Sequence, residues 1–211
     1  MLFTDWVTIS ALATAAGTLV LALATFASVR SANRAARVAE LSLLEGLRPL
    51  LVPTRFGDPP EKIGFADGKS ITAPGGGAAA ETSDEAVYLG IALRNVGSGI
   101  AVLHGWFFHP DWNPRIERPA LEEFTMLIRD LYIAPGDQGF WQGAFRDPST
   151  PGFVAVREAI EARRNVMVDV LYGDHEGGQR VVSRYSLSPG DDGAWIASAG
   201  RHWNIDRADP R

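Results

Sequence analysis

The sequence predicts a mainly β fold: an N-terminal transmembrane helix followed by an antiparallel, immunoglobulin-like β-sandwich with one short helix. Three observations predict it. The 24 residues Trp6–Val29 carry no charge. From Val87 onward, short apolar stretches with two-residue alternation follow one another, separated by turn residues. The chain's 13 prolines and 22 glycines in 211 residues suit a loop-rich β protein better than a helical bundle.

A helix of 24 residues rises about 36 Å, enough to cross a hydrocarbon core of about 30 Å. Nine strongly apolar residues (Val7, Ile9, Leu12, Leu19, Val20, Leu21, Leu23, Phe26 and Val29) drive insertion, and Ala, Thr, Ser and Gly fill the remainder. A cleavable signal would place basic residues before a shorter apolar core, but only Asp5 precedes this one. Trp6 stands where an interfacial aromatic belongs. Arg30, Arg34 and Arg37 follow the span and nothing basic precedes it. The positive-inside rule therefore places the N-terminus, Met1–Asp5, outside and the C-terminal side in the cytoplasm of a single-pass inner-membrane protein. The lipid bilayer is thus the first expected partner. The helical pattern continues to Leu47 and stops before Pro49, with the three arginines on one face.

Ser10, Thr14, Gly17, Leu21, Ala24 and Ser28 recur at 4-3-4-3-4 spacing and line one face of the span. Five of the six are small, which lets a second helix approach closely in lipid. Another copy of the chain or a different membrane protein is the expected neighbour on that face.

Residues 48–55, "RPLLVPTR", read as a first strand. Residues 57–86 read as a flexible Gly/Pro/Ala-rich insertion holding a small hairpin about Asp67-Gly68. The stretch "APGGGAAAETSDEA" offers little that could be buried. In "VYLGIALRNVGSG", Val87, Leu89, Ile91 and Leu93 share a face, Asn95, Gly97 and Gly99 supply a turn, and "IAVLHGWFFHP" returns. "FTMLIRDLYIAPGDQGFWQGAF" reads as two strands joined at Pro135-Gly136-Asp137. "STPGFVAVREAIEARR" is the short helix, capped by Ser149 or Thr150, with Pro151 in its first turn. "NVMVDVLYGDHEGGQRVVSRYSLSP" reads as a hairpin. Trp195 and Trp203 in the remaining tail read as pins for the C-terminus, and Trp106, Trp112, Trp141, Phe107, Phe108 and Phe140 as core. The domains expected are thus an anchor at 1–29, a juxtamembrane helix at 30–48 and the sandwich at 49–211.

Charge narrows the function classes. Residues 49–211 hold 16 basic and 22 acidic groups, so the body is acidic and lacks the footprint of a nucleic-acid binder. The absence of cysteine removes disulfides, thiolate metal sites and cysteine nucleophiles together.

The runs "LRNVGSGIAVL", "APGDQGFW" and "VDVLYGDHEGGQRVVSRYSL" give the chain a resemblance to a group of uncharacterised bacterial proteins. These combine one N-terminal transmembrane helix with a β-sandwich whose strand ends in an Asn-x-Gly-x-Gly-Pro-Ala turn. The resemblance covers most of residues 6–188 and implies the architecture alone. This chain has Ile100 where the group commonly has proline.

No arrangement points to catalysis, a cofactor or a metal. His104 and His109 differ in parity on one strand and are expected on opposite faces. Asp174-His175-Glu176 reads as a solvated hairpin turn. Asp169 lies mid-strand, away from Asp174 and Glu176, so these carboxylates form no general acid–base pair. The glycines of "NVGSG" follow a strand without opening a helix, so they cradle no phosphate. The expected function is a membrane-anchored cytoplasmic module for binding, scaffolding or accessory work and not an enzyme; the rival is a membrane-tethered hydrolase.

Overall fold

A computed structural model describes residues 2–110, 112, 113 and 117–209. Met1, the first of the five residues expected outside the span, lies outside the described residues. The chain divides into two compact units at the Glu45–Gly46 junction.

The first unit is one continuous helix, α1 (Leu2–Gly46), so the expected anchor and juxtamembrane segments form a single rod. It is long and apolar enough to cross a membrane. Trp6, Val7, Ile9, Leu12, Leu19, Leu21, Leu23 and Phe26 stand exposed along it. Three of its hydroxyls bond the helix itself: Ser10 Oγ donates to Val7 O, Thr14 Oγ1 to Ser10 O and Thr18 Oγ1 to Thr14 O, each at 2.9 Å. A helix whose polar side chains bond its own carbonyls presents little unmet hydrogen bonding to lipid.

The second unit is mainly β and antiparallel, as expected. Its strands are β1 (Leu51–Pro53), β2 (Glu61–Gly64), β3 (Ser70–Ala73), β4 (Gly77–Thr82), β5 (Val87–Asn95), β6 (Ala101–His109), β7 (Thr125–Ile133), β8 (Gln138–Phe145), β9 (Val166–Gly173), β10 (Val181–Pro189) and β11 (Trp195–Asn204). Nine of them form one sheet in the order β1-β5-β4-β11-β10-β9-β6-β7, with β8 on β5. The sheet folds over at the short β4–β11 pairing, Ala78 with Trp195 and Gly77 with Ile196. The two halves then face each other across one core, where Trp106 of β6 meets Trp141 of β8 edge-on at 5.7 Å. Val87, Leu89, Ile91 and Leu93 all point into that core. Helix α2 (Pro151–Glu161) is capped by Thr150 Oγ1 accepting from Phe153 N, and it buries Phe153, Val156, Ala159 and Ile160.

Two connections hold the halves together. β5 does not pair with β6, nor β7 with β8 among the described residues; each linking turn arches from one half to the other. The expectation that β6 returns beside β5 is therefore corrected. Asn95 ties the arches together. Its Nδ2 donates to Gly99 O (2.7 Å) and Ile133 O (2.9 Å), and its Oδ1 accepts from Leu50 N (3.2 Å) and Gly97 N (3.0 Å). Beside it the chain runs so close that a Cβ at Gly99 would sit 1.8 Å from the Leu47 carbonyl oxygen, which only glycine avoids.

The region expected to be a flexible insertion contains β2, β3 and β4. The Asp67-Gly68 hairpin is present, with Gly68 at φ +85°. It covers the outer face of β4, β5 and β8, packing Ile63, Phe65 and Ile71 over Ala79 and Ala92. Small residues under the hairpin allow this close layer: at Gly90 of β5 an added Cβ would collide with the Ile63 side chain. The C-terminal tail is likewise a strand, β11, in the middle of the sheet. Trp195 enters the main core and Trp203 the opposite face. Of the expected core aromatics Trp106, Phe108 and Trp141 lie in the main core, Phe107 and Phe140 are partly buried against the outer faces, and Trp112 is exposed.

Candidate functional site

On α1, Arg30, Arg34 and Arg37 share an exposed face with Phe26, Val29 and Asn33 and make no ion pair with any described residue. Ser10, Thr14, Gly17, Leu21, Ala24 and Ser28 are exposed, and a Cβ at Gly17 would meet nothing within 4 Å. Nothing inside the chain therefore requires glycine at that position.

The hairpin after β9 is organised by Asp174. Its Oδ1 accepts from Glu176 N (3.0 Å) and Gly178 N (2.8 Å), which turns this carboxylate inward. His175 is exposed and lies 3.3 Å from Glu176. Replacing His175 with alanine is expected to change the unfolding free energy by less than about 0.5 kcal/mol, measured by urea unfolding, because it removes only a solvated contact.

The parity expected for His104 and His109 is overturned by a bulge. Leu103 pairs with Tyr172 and Gly105 with Leu171, so His104 is the extra residue. Ala101 and Leu103 before it, and Trp106 and Phe108 after it, all reach the core. Both histidines therefore project from the other face, five residues apart. His104 is half-buried there, and burial chiefly holds its pKa below the ordinary histidine value.

That face carries a buried charge cluster that the sequence reading missed. Asp169 on β9 and Arg184 on β10 are directly paired in the hairpin and are 0% and 1% exposed. Arg184 donates from Nε to Asp169 Oδ1 and from Nη2 to Oδ2, both at 2.7 Å. His109 Nε2 lies 2.9 Å from the same Oδ2. An ionised carboxylate can only accept, so this nitrogen carries the proton, and its 3.3 Å approach to Arg184 Nη2 is a contact between two donors. Trp203 lies 4.8 Å from the guanidinium, and Glu117 O accepts from Arg184 at 3.3 Å. Burial most strongly opposes ionisation of Asp169, yet the bonds from Arg184 and His109 outweigh it and hold its pKa below the ordinary value. One signal was available: Asp169 and Arg184 each interrupt a strand that is otherwise apolar or small, at mirror positions about the turn.

A second polar chain crosses the core. Leu51 N donates to Tyr172 Oη (3.1 Å), Tyr172 Oη meets Ser183 Oγ at 2.8 Å, and Ser183 Oγ meets His202 Nδ1 at 2.5 Å. Tyr185 donates to Leu51 O at 2.8 Å. Burial pushes the Tyr172 phenol up to about 12, so it stays protonated at neutral pH. Ser183 is 0% exposed, so its hydroxyl is closed to solvent, whereas His202 is only partly buried. These groups fasten β1 to β9 and β10.

An accessible concavity lies elsewhere, at the seam between β7 and β8. On β7, Leu131 pairs with Leu103 and Met126 with Gly105, so Leu127–Asp130 bulge out opposite His104 alone. Beside this bulge a cavity of about 140 Å³ opens between the two strands. Trp106, Leu127, Gly143 and Ala144 line it, Phe65 and Ala66 of the outer hairpin overhang it, and Ile128 on its rim is 89% exposed. Arg129 crosses the seam, donating from Nη2 to Gly64 O (2.9 Å) and Gln142 Oε1 (3.3 Å). Arg146 on the same rim is paired with Asp67 at 3.1 Å. Among the described residues no group of three or more His, Asp or Glu side chains is arranged to hold a metal ion. The chain matches no known family, no curated protein and no solved structure in comparisons with each.

Proposed function

We propose that this is a single-pass inner-membrane protein, N-terminus outside, whose cytoplasmic β domain is a binding, scaffolding or accessory module. The observation that carries the reading is the uncharged run Trp6–Val29 ending on Arg30, Arg34 and Arg37, on a helix long and apolar enough to span. Trp6 marks the outer interface, and the three arginines meet the cytoplasmic one. The face of Ser10, Thr14, Gly17, Leu21, Ala24 and Ser28 receives another copy or a membrane partner.

Binding is favoured over catalysis by where the polar groups lie. The Asp169–His109 pair and the Ser183 hydroxyl are buried and are engaged by Arg184 and Tyr172. The β7–β8 seam is a largely apolar concavity open to solvent. A tethered hydrolase would need a nucleophile that substrate can reach, and Ser183 is not one. A photoreactive phenylalanine analogue placed at Ile128 in cells is expected to give an adduct of defined mass, absent when it replaces Glu158 on the exposed face of α2. Identical adducts at both positions, or none at Ile128, would contradict the binding role of the seam.

A further inference from the structure

We infer that the β7–β8 seam takes a small apolar carboxylate: one aromatic ring or branched alkyl group in the cavity, with its carboxylate on Arg129. The inference rests on reading the seam as the binding site and names what it binds. Size sets the apolar part. A cavity of about 140 Å³ is close to the ~150 Å³ apolar cavity that accepts a benzene ring. Its depth holds one such group. Its inner walls are Trp106, Leu127 and Ala144, and Gly143 projects no side chain into it.

Charge sets the polar part. Arg146 on the rim is neutralised by Asp67, whereas Arg129 makes no ion pair with any described residue. Its bonds to Gly64 O and Gln142 Oε1 both use Nη2 and fix the guanidinium across the mouth, leaving Nε and Nη1 unengaged. One uncompensated guanidinium matches one carboxylate, which it can hold through two parallel bonds; a phosphate dianion would call for more cations than this rim provides. The chemistry has two sources, a free aryl or alkyl acid and the C-terminal residue of a peptide. Among the described residues β8 pairs on one side only, so its other edge can add a peptide strand that reaches the cavity.

The test is calorimetry on the full chain in lipid nanodiscs, with empty nanodiscs as the blank. The probes are 3-phenylpropionate, its uncharged amide, and a pentapeptide ending in phenylalanine with a free or an amidated terminus. The acids are expected to bind at least about tenfold more tightly than their amides. Arg129→Gln should abolish that preference while leaving the unfolding midpoint unchanged. Ala66→Trp, at an exposed hairpin position, should block the cavity and remove binding of both acids. Tighter binding of the free-terminus peptide assigns a peptide C-terminus, and equal or weaker binding assigns a free acid. Absence of binding, equal binding of acids and amides, or a preference that survives Arg129→Gln overturns the inference. If Ile128 still crosslinks to a partner in that event, the seam remains a binding site and only its ligand chemistry is wrong.

Discussion

Replacing Arg184 with alanine is expected to lower the stability of the β domain by about 3–5 kcal/mol, because it strands the wholly buried Asp169 carboxylate. Two charge-assisted bonds of 2.7 Å vanish at once, and the remaining donor, His109, cannot replace a guanidinium. Trp203 also loses one of the two guanidiniums over its ring, while Arg201 remains. The loss comes from the unpaired charge and not from missing attraction. Replacing Asp169, Arg184 and His109 together with apolar residues of similar size should therefore restore most of the stability. Urea unfolding followed by tryptophan fluorescence measures both variants, and a cost below about 1 kcal/mol for Arg184→Ala would mean that water reaches the cluster.

The pH dependence has a defined sign. Asp169 is held below its ordinary pKa in the folded chain. Its stabilising contribution is fully present above the unfolded value of about 3.9 and is lost as pH falls through the lower folded value. The difference between the native chain and Asp169→Asn should narrow below about pH 4.

Asn95→Ala has the second-largest expected effect, about 3 kcal/mol or more. The side chain is wholly buried and makes four hydrogen bonds, so its loss orphans Leu50 N, Gly97 N, Gly99 O and Ile133 O. Each buried group left unmade costs about 1–3 kcal/mol, with some recovery where water enters. These four groups belong to the β1 lead-in, the β5–β6 arch and the end of β7, so the damage should be local before it is global. Hydrogen exchange should show Gly97 and Leu50 amides losing protection first. Unchanged protection at both would contradict the role assigned to Asn95.

The strands past Val87 were legible because alternation survives wherever one face meets the core, as in Val87, Leu89, Ile91 and Leu93. The cap and apolar face of α2 were legible for the same local reason. β4 and β11 were not. "GAAAET" has the composition of a loop, and it becomes a buried strand only because the β2–β3 hairpin and β5 approach closely enough to need alanine. "WIASAGRHWN" lost its pattern because Trp195 serves one face and Trp203 the other. Parity failed at His104, where a bulge inserts one residue that no local feature announces. Asn95 was visible as a turn residue, but its four partners span 84 residues of chain, Leu50 to Ile133, and only the fold brings them together. The seam was out of reach too: it lies between strands that follow one another in sequence yet do not pair.

The proposal of a membrane-tethered module with its β domain in the cytoplasm is tested most directly by cysteine labelling. The chain contains no cysteine, so single substitutions give no background. Leu2→Cys precedes the span, and Glu85→Cys occupies an exposed loop of the β domain. With an impermeant maleimide on intact cells whose outer membrane has been made permeable, Leu2→Cys should label at once and Glu85→Cys only after the inner membrane is broken. Labelling of Glu85→Cys before that step, or recovery of the chain in the soluble fraction, would contradict the account.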